Sequence, residues 1–402
     1  MTNSKQQPIF FYIGLASFIL FFFKIELAWY YPSSIFKYIA LLSLTINLFL
    51  SIRKYNIRQL LVIAAVALLV IYTGINAHEI TRLSLSFALI VGAKDIDFKS
   101  ILKVCFLTGF SLCLISLVGS SIGLIENKVL FMNMDSMEMM GSSNVKRYSY
   151  GYGWPTGCAI HISFLCLIYW AYKDGLLKWR EVISFLCVFW FVYHYNQARQ
   201  AAVVILLMFL ISLYLLYLHK CNKQGPRFLM FILVLSIPFF TIISIVSTIL
   251  YDGSDIFWIA ANIVFSNRLK LGYDAIEEYG FPWFGQYFEM IGGDTTYEYN
   301  YVDSSYVQMY LLWGIALTTF LLVLYFVISL KAYKRGDTAL LFAIMLAGLS
   351  SVTSQYLFQI MSCPFLLALF AKHSVKDLDL NKNNNCYVKK RINKTADTRT
   401  HS

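Results

Sequence analysis

The sequence predicts an all-α polytopic integral membrane protein of about twelve transmembrane helices, with both termini in the cytoplasm. Three observations predict it. Of the 402 residues, 58% are hydrophobic and 14% are charged, and the mean hydropathy is +0.62. A soluble domain carries about a quarter charged residues, and so few polar side chains cannot cover a water-soluble globule of this composition. The apolar residues fall in repeated runs of about 20, each enough to cross roughly 30 Å of hydrocarbon. Lysine and arginine are divided unevenly among the polar breaks, as membrane topology requires. A soluble enzyme, a transcription factor, a secreted disulfide scaffold and a disordered chain are excluded.

The runs place spans at 8–27, 34–52, 59–75, 80–93, 100–125, 156–173, 181–197, 200–219, 228–250, 305–330, 338–354 and 356–371. The leading MTNSKQQPIFFYIG has one lysine and no small-residue cleavage site, so it reads as a retained first helix rather than a signal peptide. With the N-terminus inside, every inner turn holds three basic residues: Arg53, Lys54, Arg58; Lys94, Lys99, Lys103; Lys173, Lys178, Arg180; Lys220, Lys223, Arg227; Lys331, Lys334, Arg335. The tail after Ala371 adds eight more. The formal charge of +11 is therefore mostly a topology signal, aided by anionic lipid at the inner leaflet, and points to membrane lipid rather than nucleic acid. Residues 1–371 form the membrane domain, and 372–402 a basic, Asn/Lys-rich cytoplasmic tail expected to be disordered. The eight cysteines show no CxxC pair, and most lie inside apolar runs as small hydrophobes.

Two longer segments, 126–155 and 251–304, face outward on this topology. A connection as long as the second is uncommon unless it has its own structure or function. It holds nine acidic residues, fourteen aromatics and only two basic residues, Arg268 and Lys270. DIFWIAANIVF suits the membrane interface, and SNRLKLGYDAIEEYG reads as a short helix capped by Ser266. The working surface is therefore expected on the outside.

No GxxxxGK[ST] phosphate loop, no HExxH and no metal-spaced His/Cys cluster is present. The carboxylate pairs Asp95/Asp97 and Asp377/Asp379 lie on the cytoplasmic side and read as ordinary loop residues. Few charges interrupt the spans, which argues against an ion-driven carrier. The informative residues are outward arginines at span mouths: Arg147 in VKRYSYGYGWPTG, Arg199 in YNQARQAA and Arg268 in the long loop. Positive charge there opposes the topology trend. Guanidinium forks bind phosphate oxygens in pairs and stay protonated, so several converging would suit a pyrophosphate. A carboxylate partner or a lipid headgroup would account equally well for any one of them alone. The outward aromatics suit either an interfacial belt or the faces of sugar rings.

These segments resemble the Wzy-type polysaccharide polymerases, which are related in architecture to the O-antigen ligases. RYSYGYGWPTGCAIHI is similar to that family's Arg-x-x-x-Gly-Phe-x-x-Pro-Asn motif, with Tyr152 as the aromatic and Thr156 for the usual Asn. YNQARQAAVVILL is similar to its Ser-Arg-Thr/Gln turn, with Ala198 for the usual Ser. SNRLKLGYDAIEEYGFPWFGQ and NYVDSSYVQMYLLWGI resemble its Arg…Leu-Phe-Gly…Val-Asp-Asn-Ser-Tyr…Gly-Ile pattern, through Trp283-Phe284-Gly285 and Val302-Asp303-Ser304-Ser305-Tyr306. Ligases tend to have a histidine near the position of Asp303, so the aspartate favours a polymerase.

The resemblance implies a GT-C-like glycosyltransferase in the plasma membrane of a bacterium. It would join undecaprenyl-pyrophosphate-linked oligosaccharide repeat units at the outer face, for a capsule or exopolysaccharide. Flippase and chain-length regulator proteins are the implied partners. No metal, ATP or nucleotide sugar is implied as cofactor, since the pyrophosphate bond supplies the driving force. On this reading Arg147, Arg199 and Arg268 bind phosphate, Asp303 is the candidate base, and Tyr150, Trp154, Trp283 and Tyr306 contact sugar or pack locally. A ligase-like transferase and a lipid-linked oligosaccharide flippase or other transporter are the alternatives. Asp303 has a second reading too, as a cap on the following helix or as an arginine's partner.

Overall fold

A computed structural model describes residues 3–132, 145–221, 226–292 and 299–373. The chain is mostly helical. Its helices are α1 (Asn3–Phe22), α2 (Ser33–Ile52), α3 (Ile57–Asn76), α4 (Ile80–Gly92) and α5 (Phe98–Ser121), then α6 (Pro155–Tyr172), α7 (Trp179–Phe191) and α8 (Arg199–Lys220). They continue as α9 (Arg227–Val234), α10 (Ser236–Ile249), α11 (Ile256–Val264), α12 (Arg268–Tyr279), α13 (Ser305–Leu312), α14 (Gly314–Arg335) and α15 (Thr338–Ser350). A two-stranded antiparallel hairpin, β1 (Val129–Met132) and β2 (Val145–Tyr148), precedes α6 and places Arg147 opposite Leu130.

Seven of these helices are long and apolar enough to cross a membrane, or eight if α9 and α10, bent by 46° at their junction, form one span. Their outer faces are greasy: α3 exposes Leu61, Leu68 and Ile75. Lipid tails are as apolar as leucine, so helix association in such a bundle leans on close contact and polar links. Trp170 Nε1 donates to Ser212 Oγ at 2.9 Å and ties α6 to α8.

Two ends of the bundle are distinguishable by charge. At one end, Gln7 Nε2 bridges to Ser51 Oγ (2.9 Å) and the Lys94 carbonyl (3.0 Å). Lys54 pairs with Asp95, and Lys99 with Asp174. Asp97 caps α5 through the Ser100 amide, so the Asp95/Asp97 pair is structural. Residues Asp377 and Asp379 lie outside the described residues. This basic end collects the turns whose lysines set the expected topology. The opposite end holds Arg147, Arg199 and Arg268.

The structure differs from the expected spans in three places. α4, α7 and α15 have 13 residues each, about 20 Å of helix, and are too short to cross roughly 30 Å alone. The expected span 305–330 is broken at Trp313–Gly314. α13 stays at the arginine end, since Asp303 precedes it and Trp313 after it donates to Glu79 at the α3–α4 turn. The spanning helix is α14. The run 356–371 is not an α-helix; it carries a 3-10 turn over Pro364–Leu369. It nevertheless runs from Tyr356 at the arginine end to Lys372, whose amide donates to Ile96 O at the basic end. Irregular backbone at membrane depth is tolerated where protein surrounds it, and Tyr356 to Ala368 are all buried.

The α13–α14 break is imposed by backbone contact. Gly314 has φ +76, and a Cβ there would lie 2.5 Å from Gly285 N and 2.6 Å from Pro282 O. Gly314→Ala should cost about 1–3 kcal/mol for the left-handed backbone alone, and more for the clash. The expected result is a clearly lower melting temperature in detergent; an unchanged one would contradict the contact.

The charge division makes a topological prediction. On a cysteine-free background, Ser254→Cys at the arginine end should react with an impermeant thiol reagent in intact cells, and Lys178→Cys should be protected. The opposite labelling would invert the orientation.

Candidate functional site

Arg147 is delivered by the hairpin. Its Nε donates to the carbonyl of Asn196 at 3.1 Å, and Asn196 Nδ2 donates back to Tyr148 O at 2.8 Å. Asn196 ends a π-type turn, Val192–Asn196, that closes α7. Such turns often occur at functional positions. Gln197 follows in the left-handed region at φ 53, and the chain then starts α8 at Arg199. The same turn therefore holds Arg147 and positions Arg199. Gln200, one residue on, reaches Ser350 Oγ at 3.1 Å and locks this corner to the end of α15.

Arg268 opens α12. The expected cap at Ser266 is not formed: Ser266 and Asn267 both adopt left-handed backbone, and the helix starts with no side-chain cap. The Arg268 guanidinium instead reaches across the long loop, with Nε 2.9 Å from Asp303 Oδ2. Asp303 is thus an arginine's partner. Ser304, not Asp303, occupies the cap position of α13.

The three arginines converge. Burial pushes Arg147 below its ordinary value, and the positive charges of Arg268 and Arg199 push it further. Among the described residues, neither Arg147 nor Arg199 has a carboxylate partner. Asp303 is raised above the usual carboxylate range, because burial outweighs the attraction and hydrogen bond of Arg268. Among the described residues, Asp303 is the one carboxylate that forms an ion pair with any of the three guanidiniums.

The aromatic expectations divide. Tyr150, at φ 49, packs its ring 5.3 Å from Phe191, within a group that includes Tyr148 and Tyr195. Trp154 caps α6 partly exposed. Both lie on the segment that leaves the Arg147 strand. Trp283 is exposed but belongs to a loop seated on α3 and α14, where Asn76 Nδ2 donates to Phe284 O, and no described contact links it to an arginine. Tyr306 must be corrected. It is fully buried, with its hydroxyl donating to Gly348 O at 3.1 Å, so it has no surface to offer a sugar.

Sequence reasoning missed several polar residues here. Tyr301 donates to Gln355 Oε1 at 2.5 Å, and Gln308 Nε2 reaches the same oxygen at 3.2 Å. Glu26, in a 3-10 turn after α1, accepts from Tyr356 at 2.8 Å. The available signal was a glutamate closing an apolar run in FFFKIELAW. Two apolar cavities flank the bundle, one among α3, α4 and α14 and one among α5, α6 and α7; neither includes an arginine of the site.

No protein-family model, no curated protein and no solved structure matches this chain.

The Arg268–Asp303 pair is testable by a double-mutant cycle. Arg268→Gln alone strands a largely buried carboxylate and should destabilise more than Arg268→Gln/Asp303→Asn, giving a coupling on the order of 1 kcal/mol. The coupling needs ionised Asp303, so it is present above the raised pKa and lost as pH falls through it. Because that pKa is raised, ionisation disfavours the fold overall. Asp303→Asn should therefore gain stability relative to the native protein as pH rises through the interval above the ordinary carboxylate value. Thermal unfolding in detergent across pH measures both; zero coupling at neutral pH would refute the pair's energetic role.

Proposed function

We propose that this protein is a polysaccharide polymerase of the Wzy type. It joins oligosaccharide repeat units carried on undecaprenyl pyrophosphate at the outer face of a bacterial plasma membrane. One observation carries the reading: of three arginines far apart in sequence, at 147, 199 and 268, the latter two both repel Arg147 at one end of an apolar bundle. Isolated, each would need no more than a headgroup. Gathered with a single carboxylate paired among them, they suit a multiply charged anion whose carrier lipid lies in the membrane.

The reaction is a displacement at the anomeric carbon of the donor. Charge builds on the departing pyrophosphate, and fixed guanidiniums stabilise it without reorganising at the moment of reaction. Arg147 is held by a backbone carbonyl, which leaves its terminal nitrogens for phosphate oxygens. Arg268 is aimed by Asp303. Tyr150 and Trp154, beside the Arg147 strand, offer ring faces to a sugar. Trp283 sits apart from the arginines and serves the loop that carries it.

Arg147→Ala, Arg199→Ala and Arg268→Ala should each lower polymer yield while the protein still inserts. Losing one charge-assisted contact at a transition state costs on the order of 3 kcal/mol, about a hundredfold in rate. Lysine should rescue poorly, as a point charge without the fork. The measurement is the size distribution of lipid-linked glycan at matched protein level. Native polymer from all three alanine variants would sink the proposal.

A further inference from the structure

A polymerase needs a group to take the proton of the attacking hydroxyl, and Asp303 is poorly placed for it. Its Oδ2 is committed to a permanent cation 2.9 Å away, whose attraction opposes protonation of that oxygen. Protonating Asp303 would also dissolve the pair that aims Arg268.

A second carboxylate meets the same surroundings. Glu26 ends the 3-10 turn that follows α1, and its backbone is zipped to the segment leaving the Arg147 strand. Gly153 N donates to Glu26 O, and Ala28 N donates to Gly151 O, both at 2.9 Å. Its side chain reaches the first turn of α6, where a Cβ on Gly157 would lie 3.3 Å from Glu26 Oε2. Tyr356 donates to that oxygen, and Tyr356 adjoins Gln355, which accepts from Tyr301. Burial pushes the Tyr301 phenol up to about 12, with the negative charges of Glu26 and Asp303 both adding to it. The two carboxylates thus flank one tyrosine. Beside them Ser304 Oγ is buried and, among the described residues, has no hydrogen-bond partner.

Their partners differ. Among the described residues no cation pairs with Glu26; the nearby Arg82 is bound to Glu79 at 2.9 Å. Glu26 accepts a neutral phenol O–H through Oε2 and stays partly exposed. A carboxylate without a counter-cation is the better proton acceptor.

We propose that Glu26 is the catalytic base that receives the acceptor sugar's hydroxyl proton. This rests on the polymerase reading and deepens it. The acceptor O–H bond breaks and its proton passes to the Glu26 carboxylate. The oxygen bonds to the donor's anomeric carbon. The bond from that carbon to the phosphate oxygen breaks, and its electron pair leaves on the pyrophosphate among the arginines.

Two variants test this in cells whose only copy of the protein is the variant, with the lipid-linked glycans extracted and sized. Glu26→Gln keeps an oxygen for Tyr356 but cannot take a proton. Polymer should fall at least a hundredfold, with single repeat units accumulating on lipid. Tyr356→Phe removes the hydrogen bond and spares the carboxylate, so its loss should stay within about tenfold. Affinity of the purified Glu26→Gln protein for inorganic pyrophosphate should stay within twofold of native. Polymer from Glu26→Gln within threefold of native overturns the base role. Equal loss in both variants assigns the pair to structure and overturns it as well. If deleting the native protein leaves polymer unchanged, the polymerase reading itself fails, and the role of Glu26 falls with it.

Discussion

Repulsion of Arg147 by Arg199 and Arg268 is the constraint around which this corner of the bundle is built. Arg199 and Arg268 also open helices, whose first turns carry partial positive charge of their own. The fold answers with few counter-groups: Asp303 on Arg268 and the Asn196 carbonyl on Arg147. Such an arrangement costs stability in the absence of an anion, and selection for stability alone would not assemble it. A ligand with several negative charges turns the same arrangement from a cost into a binding energy.

Holding those charges requires backbone that ordinary helices cannot supply. Arg199 and Arg268 each follow a departure from helical regularity, the π-type turn after α7 and the paired left-handed residues before α12, while Arg147 is carried on a strand of the hairpin before α6. The mostly buried segment 351–371 is irregular as well, and it presents Gln355 and Tyr356 to the site before returning to the basic end. Neighbouring side chains satisfy part of its polar backbone. Ser305 Oγ donates to Ser354 O and accepts from Leu357 N, while Tyr325 donates to Leu357 O. Without such bonds, unpaired amides in an apolar interior would cost several kcal/mol each.

Legibility in the sequence followed physical range. Hydropathy reports transfer into lipid, so α1, α2, α3, α5, α6, α8 and α14 were readable as apolar runs, while 356–371, equally apolar, was read as helix. Composition cannot separate a lipid-facing helix from an irregular strand of protein wrapped by its neighbours. The arginines stood out because outward positive charge breaks a topological rule, and the structure brings Arg147, Arg199 and Arg268 together. Tyr306 did not separate from them, because a tyrosine at a span mouth looks alike whether it faces water or the core. Glu26 and Asn196 escaped notice because their significance comes from contacts with residues 330 and 49 positions away, which no local pattern records.

The long loop and the α13–α14 break act as one device. Gly285 and Gly314 meet backbone to backbone, and the first amides of α14 find acceptors in that loop: Ile315 N donates to Pro282 O and Ala316 N to Trp283 O. Gln286 N in turn takes the Leu312 carbonyl at the end of α13. These bonds replace those an unbroken helix would have made at the same point, so the break carries little hydrogen-bond penalty. Its consequence is positional. A continuous helix from Ser305 would run straight toward the basic end; the break keeps α13 across the arginine end, where Asp303 at its threshold can meet Arg268. The residues of WFG and WGI therefore serve the site without touching it, by fixing where the chain re-enters the bundle. A side chain on either glycine would move Asp303 before it changed any charge.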